Sequence, residues 1–281
     1  MTATAADHPS TTRHVLAWLC AAVALAFIAG VALWLDVSLW SIVVMAIALA
    51  CPVVALWIYA LGRRPLPVPL GPVPQTRGVS LDWLAPWYDV VCRAVGVNKR
   101  FRDLTLQLAA LRPGEHVLDV GCGTGVLARR AADMVGVTGS CCGIDVAPDM
   151  VRMAQQSKQA GVNPVRFSLG VVEELAFEAS SFDVVFLSFV LHCLPPDLKE
   201  AGLREIRRVL RPGGRLVVVD LDQPVGLLPR FLARLCLRHP YMAMHLEGRT
   251  IDLLRAAGFS AVARRSSWRG LVGFWIAAKP A

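Results

Sequence analysis

Val117-Leu118-Asp119-Val120-Gly121-Cys122-Gly123-Thr124-Gly125-Val126-Leu127-Ala128 reads as an apolar strand that runs into a glycine turn and then opens a helix. Such a turn lets a small cofactor lie against backbone, because glycine supplies positive φ and lacks the Cβ that would hold a ligand off. Its spacing differs from the dinucleotide fingerprint G-x-G-x-x-G: the third glycine comes one position early and Val126 fills the last slot. Gly143-Ile144-Asp145 closes a second apolar segment about 20 residues further on, where an acidic side chain meets ribose hydroxyls in such folds. Loop and carboxylate together predict an adenosine-containing cofactor without a pyrophosphate.

Working outward, alternating strand and helix patterns run from Leu81 to the carboxyl terminus. Strands are expected at Val117–Val120, Ser140–Asp145, Val165–Leu169, Phe182–Leu187 and Arg215–Asp220, with two more at Ser260–Arg264 and Leu271–Ala277. That alternation is the mark of an α/β fold, a largely parallel sheet with helices on both faces.

Five blocks in order carry a resemblance. They are the glycine loop, Gly143 to Met150 (GIDVAPDM), Ser181 to Phe186 (SFDVVF), Leu191-His192 with Leu194-Pro195, and Arg208 to Leu216 (RVLRPGGRL). With them the chain resembles the class I S-adenosylmethionine-dependent methyltransferases, nearest to the ubiquinone/menaquinone C-methyltransferase group. The resemblance implies a Rossmann-like sheet and S-adenosylmethionine as cofactor. It implies that Gly121, Gly123 and Gly125 approach the methionine portion, with Asp119 steadying the loop and facing the cofactor's amino group. Asp145 would accept from the ribose hydroxyls. Where the family often has Gly-Asp-x-Glu, this chain has Gly170-Val171-Val172-Glu173, so Glu173 is the expected substitute beside the adenine. Quinone methyltransferases typically carry Arg-Asn where this chain has His192-Cys193, so their substrate does not transfer with the resemblance.

Methyl transfer from a sulfonium needs alignment and exclusion of water more than a covalent intermediate. His192, just past the fourth strand, is the candidate to contact or deprotonate the acceptor. Asp220, at the end of the fifth strand, is the second candidate, with Asp222 beside it. Tyr88 is expected on a helix that covers the cofactor or packs on the sheet.

A mean hydropathy of +0.52 is too apolar for an ordinary soluble domain. The excess sits near the amino end: Val15–Leu35 and Ser38–Leu61 are uncharged runs of spanning length, separated by little more than Asp36. A transmembrane helical hairpin is therefore expected at 13–64, after a disordered tail at 1–12 and before a proline-rich linker at 65–80. Residues 81–281 form the expected methyltransferase domain. Arg13, Arg63 and Arg64 flank the runs and the turn has no Lys or Arg, so both ends are expected in the cytoplasm and the protein in the cell membrane as a multi-pass protein. A cleaved signal peptide is the competing reading of the first run.

The net charge of +8 comes without a recognisable nucleic-acid-binding module, and arginines beside a bilayer attract anionic headgroups. Leu227–Arg238 carries Arg230, Arg234 and Arg238 at helical spacing and is read either as a helix resting on the bilayer or as an ordinary surface helix. The eight cysteines show no C-x-x-C or Cys/His cluster, so no metal site is expected. These readings converge on a membrane-anchored methyltransferase whose partners are the bilayer and a lipid or quinone-like substrate, with no nucleic acid. Two others stand beside it: a membrane-bound nicotinamide-dependent dehydrogenase, and a non-catalytic protein that binds S-adenosylmethionine.

Overall fold

The computed structural model describes residues 73–157, 163–236 and 241–281. The tail at 1–12, the hairpin at 13–64 and most of the linker lie outside the described residues, as do Arg238 and the side chain of Arg234. Among the described residues no helix is long and apolar enough to cross a membrane.

A 3-10 turn at Asp82–Trp87 leads into α1 (Tyr88–Val95) and α2 (Lys99–Ala109). Asn98 caps α2 by accepting from the Phe101 amide, an orphan donor of the first turn. Then follow β1 (His116–Val120), α3 (Val126–Val135), β2 (Ser140–Asp145), α4 (Pro148–Gln156), β3 (Val165–Leu169), β4 (Phe182–Ser188) and α5 (Pro196–Val209). Proline opens both α4 and α5, where its missing N–H costs nothing. The chain ends with β5 (Leu210–Leu221), α6 (Leu227–Cys236), the short α7 (Ala243–Leu246), α8 (Thr250–Ala256), β6 (Ser260–Trp268) and β7 (Val272–Ala278).

The seven strands lie in the order β3-β2-β1-β4-β5-β7-β6, with β1 to β5 parallel and β7 running antiparallel between β5 and β6. Period-two alternation splits the central strands between two apolar layers. Leu118, Val185, Leu216 and Val218 face α5 through Leu203 and Ile206. On the other face Val117, Val184, Phe186 and Val217 meet Phe101 and the alanines 128, 131 and 132 of α3. Both faces being covered explains why these strands read as nearly unbroken apolar runs.

Strands β2 and β3 have the expected bounds. β5 begins five residues before the expected Arg215, because the Pro212-Gly213-Gly214 stretch is carried inside the sheet: Gly213 N donates to the Lys279 carbonyl and Lys279 N to that of Gly214. A register shift between Phe182 and Val184 absorbs the irregularity. The order places β2 and β3 to one side of β1 and β4 to the other, so the chain reverses direction between β1 and β4. Open α/β sheets bind ligands at the carboxyl ends of the strands at that point.

Candidate active site

The glycine turn lies at that reversal. Gly121 has φ +72°, and a Cβ there would come within 2.3 Å of Val190 Cγ2, so the position admits glycine alone. Gly125 heads α3 with φ +76°, and its Cα rests against the Phe167 ring, where a Cβ would sit 2.5 Å from the ring carbons. Gly121 and Gly123 line the cleft beside the turn; Gly125 instead lets α3 close onto β3. Gly125, expected beside the cofactor, lies outside the lining of that cleft.

A cleft of about 730 Å³, counting the space open at its mouth, runs along the turn. Asp145, at the end of β2, forms one wall. One of its oxygens accepts from Gly123 N at 2.8 Å and the other from Ala147 N at 2.9 Å. A carboxylate has about four acceptor sites, so capacity remains for a ligand's hydroxyls. Burial raises its pKa, and the two amides pull it back. Val171 and Val172 supply an apolar slot, and Glu173 lies beside them with Oε1 accepting from the Thr76 hydroxyl at 2.6 Å. Thr76 belongs to a segment that crosses the cleft: Val79 N donates to the Cys193 carbonyl, and Gly78 to Leu81 line the cavity. Nothing in the composition of this proline-rich stretch signals that role.

A second lobe of about 480 Å³ meets the first at the turn, the two sharing Tyr88, Gly121, Ser188 and Phe189. Asp119 lines this lobe. It is 1% exposed, and among the described residues neither carboxylate oxygen has a hydrogen-bond partner. Desolvation, with the Asp145 charge nearby, pushes its pKa up to about 8. An unpaired buried carboxyl costs free energy, and a cationic ligand group is what would repay it. Tyr88, on α1, covers the turn with its ring edge over Gly123, and Thr124 ties α1 down by donating to Asp89 at 2.9 Å. Arg102, from α2, also borders the lobe; one arginine in an amphipathic helix carries no distinguishing signal in the sequence.

Residues 117–214 match the methyltransferase domain family. The nocamycin O-methyltransferase of Saccharothrix syringae is 38% identical over 210 residues, covering 64% of this chain and 71% of that protein. The chain belongs to the class I S-adenosylmethionine-dependent methyltransferases. The ubiquinone/menaquinone biosynthesis C-methyltransferase of Ectopseudomonas mendocina is 34% identical over 158 residues, 56% of this chain and 60% of that one. The fold of a Haemonchus contortus phosphoethanolamine N-methyltransferase, solved with S-adenosylmethionine, overlays with a TM-score of 0.53 at 18% identity, covering 66% of this chain and 53% of that one.

S-adenosylmethionine is the cofactor of this methyltransferase, and the residues present fit it. The unpaired Asp119 would meet its ammonium group, Asp145 its ribose hydroxyls, and Val171 and Val172 its adenine ring. Bound there, it supplies an activated methyl group.

His192 and Asp220, named separately from the sequence, are brought together: Nδ1 lies 2.6 Å from Asp220 Oδ1. Neither lines the two lobes. The imidazole stands behind Phe189, edge to face at 6.2 Å between ring centres. Burial opposes its charge, but the Asp220 carboxylate wins and holds the imidazole well above its ordinary pKa, while Asp220 is pulled down to about 2. Asp220 is fully buried, and His245 behind it is driven down to about 4 by desolvation. Lys199, also buried, donates to the Tyr241 carbonyl at 2.6 Å. Asp222, two residues past Asp220, pairs with Arg264 at 2.5 Å. Among the described residues no group of three His, Cys, Asp or Glu side chains is placed to hold a metal.

Proposed function

We propose that this methyltransferase moves the methyl group of S-adenosylmethionine onto a lipid or quinone-like acceptor dissolved in a bilayer, with its domain held at the cytoplasmic face of the cell membrane by Val15–Leu35 and Ser38–Leu61. The methyl-transfer part rests on one observation, the buried and unpaired Asp119 carboxylate beside the glycine turn. The bilayer part rests on the two uncharged runs and on the quinone-directed activity that one relative's name carries. The relatives' names put the methyl group on oxygen in one case and on carbon in another, and an acceptor with an acidic ring hydroxyl suits both.

The residues do modest work in this reaction. The turn and Asp145 fix the donor, Tyr88 and Phe189 shield the junction of the lobes from water, and the acceptor is aligned by the apolar mouth. His192, kept cationic by Asp220, stands behind Phe189 and outside both lobes, so it positions that ring and does not touch the acceptor. We read it as a positioning residue and not as the proton acceptor, because a histidine paired with a buried carboxylate is already protonated near neutral pH.

The test is incubation of native membranes with methyl-labelled S-adenosylmethionine, with and without the full-length protein, followed by separation of the extracted lipids. A labelled lipid that depends on the protein supports the proposal. Cofactor binding with no label in any lipid favours the non-catalytic reading, and label confined to the aqueous phase moves the acceptor out of the bilayer.

A further inference from the structure

The edge of the sheet that carries the cleft also carries an exposed apolar surface. Val272 pairs with Leu221, so the turn at Arg269–Leu271 between β6 and β7 lies at the carboxyl ends of the parallel strands, as the glycine loop does. This turn bridges two elements. Arg269 donates to the Val95 carbonyl at the end of α1 and packs on Gly96, while the Gly270 carbonyl accepts from Val225 N ahead of α6. On either side of it stand Val95, Val225, Leu227 and Leu228, between 61 and 87% exposed. Val90 and Val91 extend the surface along α1. Scattered exposed apolar residues need no explanation, but a continuous patch beside a binding cleft does.

Charge around the patch has one sign. The segments 90–96, 223–230 and 264–271 contain no Asp or Glu and five arginines, Arg93, Arg230, Arg264, Arg265 and Arg269. Arg264 is neutralised by Asp222; Arg93 and Arg269 form no ion pair among the described residues. Behind Arg93 a groove is lined by Lys99, Arg102 and Arg130, and its acids are already engaged: Asp103 by Lys99 and Arg130, Asp89 by Thr124 with Arg102 at 3.9 Å. Apolar tips ringed by unneutralised guanidinium groups complement one partner in particular, an apolar interior under a negatively charged surface.

We infer that Val95, Val225, Leu227 and Leu228 enter the surface of a bilayer containing anionic phospholipid, with Arg93, Arg230 and Arg269 on the headgroups, so that the cleft opens toward the lipid. The inference rests on the membrane reading above and adds a second point of attachment, made by the catalytic domain itself. Substrate dissolved in the bilayer then reaches the site without crossing water.

Hydrogen exchange on the full-length protein in nanodiscs tests this, with discs of phosphatidylcholine alone compared with discs that also contain phosphatidylglycerol. Each arginine near an anionic surface contributes about five-fold in occupancy. Exchange at 93–96, 225–230 and 269–271 is expected to slow at least five-fold in the anionic discs, while residues around the exposed Val137, at the end of α3, stay unchanged. The triple variant Arg93→Glu, Arg230→Glu, Arg269→Glu should abolish the difference, and Leu227→Asp with Leu228→Asp should reduce the protection of these segments in both kinds of disc. Equal exchange in the two kinds of disc overturns the inference. So does slowing that appears in detergent and grows with protein concentration, which would mean that a second copy covers the patch. Alkaline carbonate extraction of the same protein reads the anchor independently: release from membranes sinks the anchored reading, whereas retention with an unprotected patch sinks this inference alone.

Discussion

Asp119→Asn separates the two things that Asp119 does. Without cofactor, its carboxyl titrates at about 8 against an ordinary 3.8. A raised carboxyl stabilises the fold fully below about pH 4 and loses that contribution as pH rises toward 8, because the unfolded chain ionises freely and the folded one does not. At pH 7 the loss is on the order of 4 kcal/mol, taking about 1.4 kcal/mol per pH unit between 3.8 and 7. The amide is nearly isosteric with the carboxylic acid and leaves a comparable unpaired polar group, so the variant escapes this loss. Its melting temperature at pH 7 should exceed the parent's by roughly 10 °C, at about 2–4 °C per kcal/mol for a domain of this size, and the gap should close below pH 4. Affinity for S-adenosylmethionine should move the other way. A charge-assisted hydrogen bond to the ammonium group is worth about 1.5–3 kcal/mol, or roughly ten- to a hundred-fold in Kd. Thermal melts across pH and titration calorimetry measure both. A variant that melts at or below the parent at pH 7, or binds cofactor equally well, refutes the assignment of Asp119.

Gly121→Ala places a Cβ 2.3 Å from Val190 Cγ2 at φ +72°, so beyond about 1–2 kcal/mol of backbone strain it should displace the turn and abolish cofactor binding; adding Val190→Ala should restore part of the stability, read by melting. Asp220→Asn should drop the His192 imidazole to or below its ordinary 6.5, followed by NMR titration, and destabilise the protein by about 3–5 kcal/mol at neutral pH. The stabilising window of the pair follows from the signs: His192 contributes below pH 6.5 and loses its contribution as pH rises through its raised value, and Asp220 contributes above pH 3.8 and loses its contribution as pH falls toward 2. Phe167→Ala removes the ring between Gly125 and Arg129 and should cost about 3–5 kcal/mol in chemical denaturation.

The parallel sheet was legible because its strands are bounded by glycine, proline and charge at short intervals, as at Gly139 and Pro148 around β2. Asp119, Gly121, Gly123 and Asp145 lie together because a strand, turn and neighbouring strand position them locally. Partnerships across long separations were not legible. Nothing in either local pattern says that His192 meets Asp220, and the pairing alters the chemistry expected of the histidine. The packing of Gly125 on Phe167 is likewise hidden, since Phe167 lies on a strand two positions away in the sheet. The start of β5 is hidden because Pro-Gly-Gly is normally a turn, and the returning Lys279 backbone keeps it in register.

Thr76 and Val79 tie the approach to the domain across both rims of the cofactor cleft, to Glu173 and to Cys193. Anyone trimming the apolar amino end for expression in water therefore faces an asymmetric choice. A cut at residue 73 retains the crossing segment and the cavity it roofs. One at residue 81, the more natural place by composition, strips the roof and releases Glu173, leaving a well-folded sheet with an impaired grip on its methyl donor.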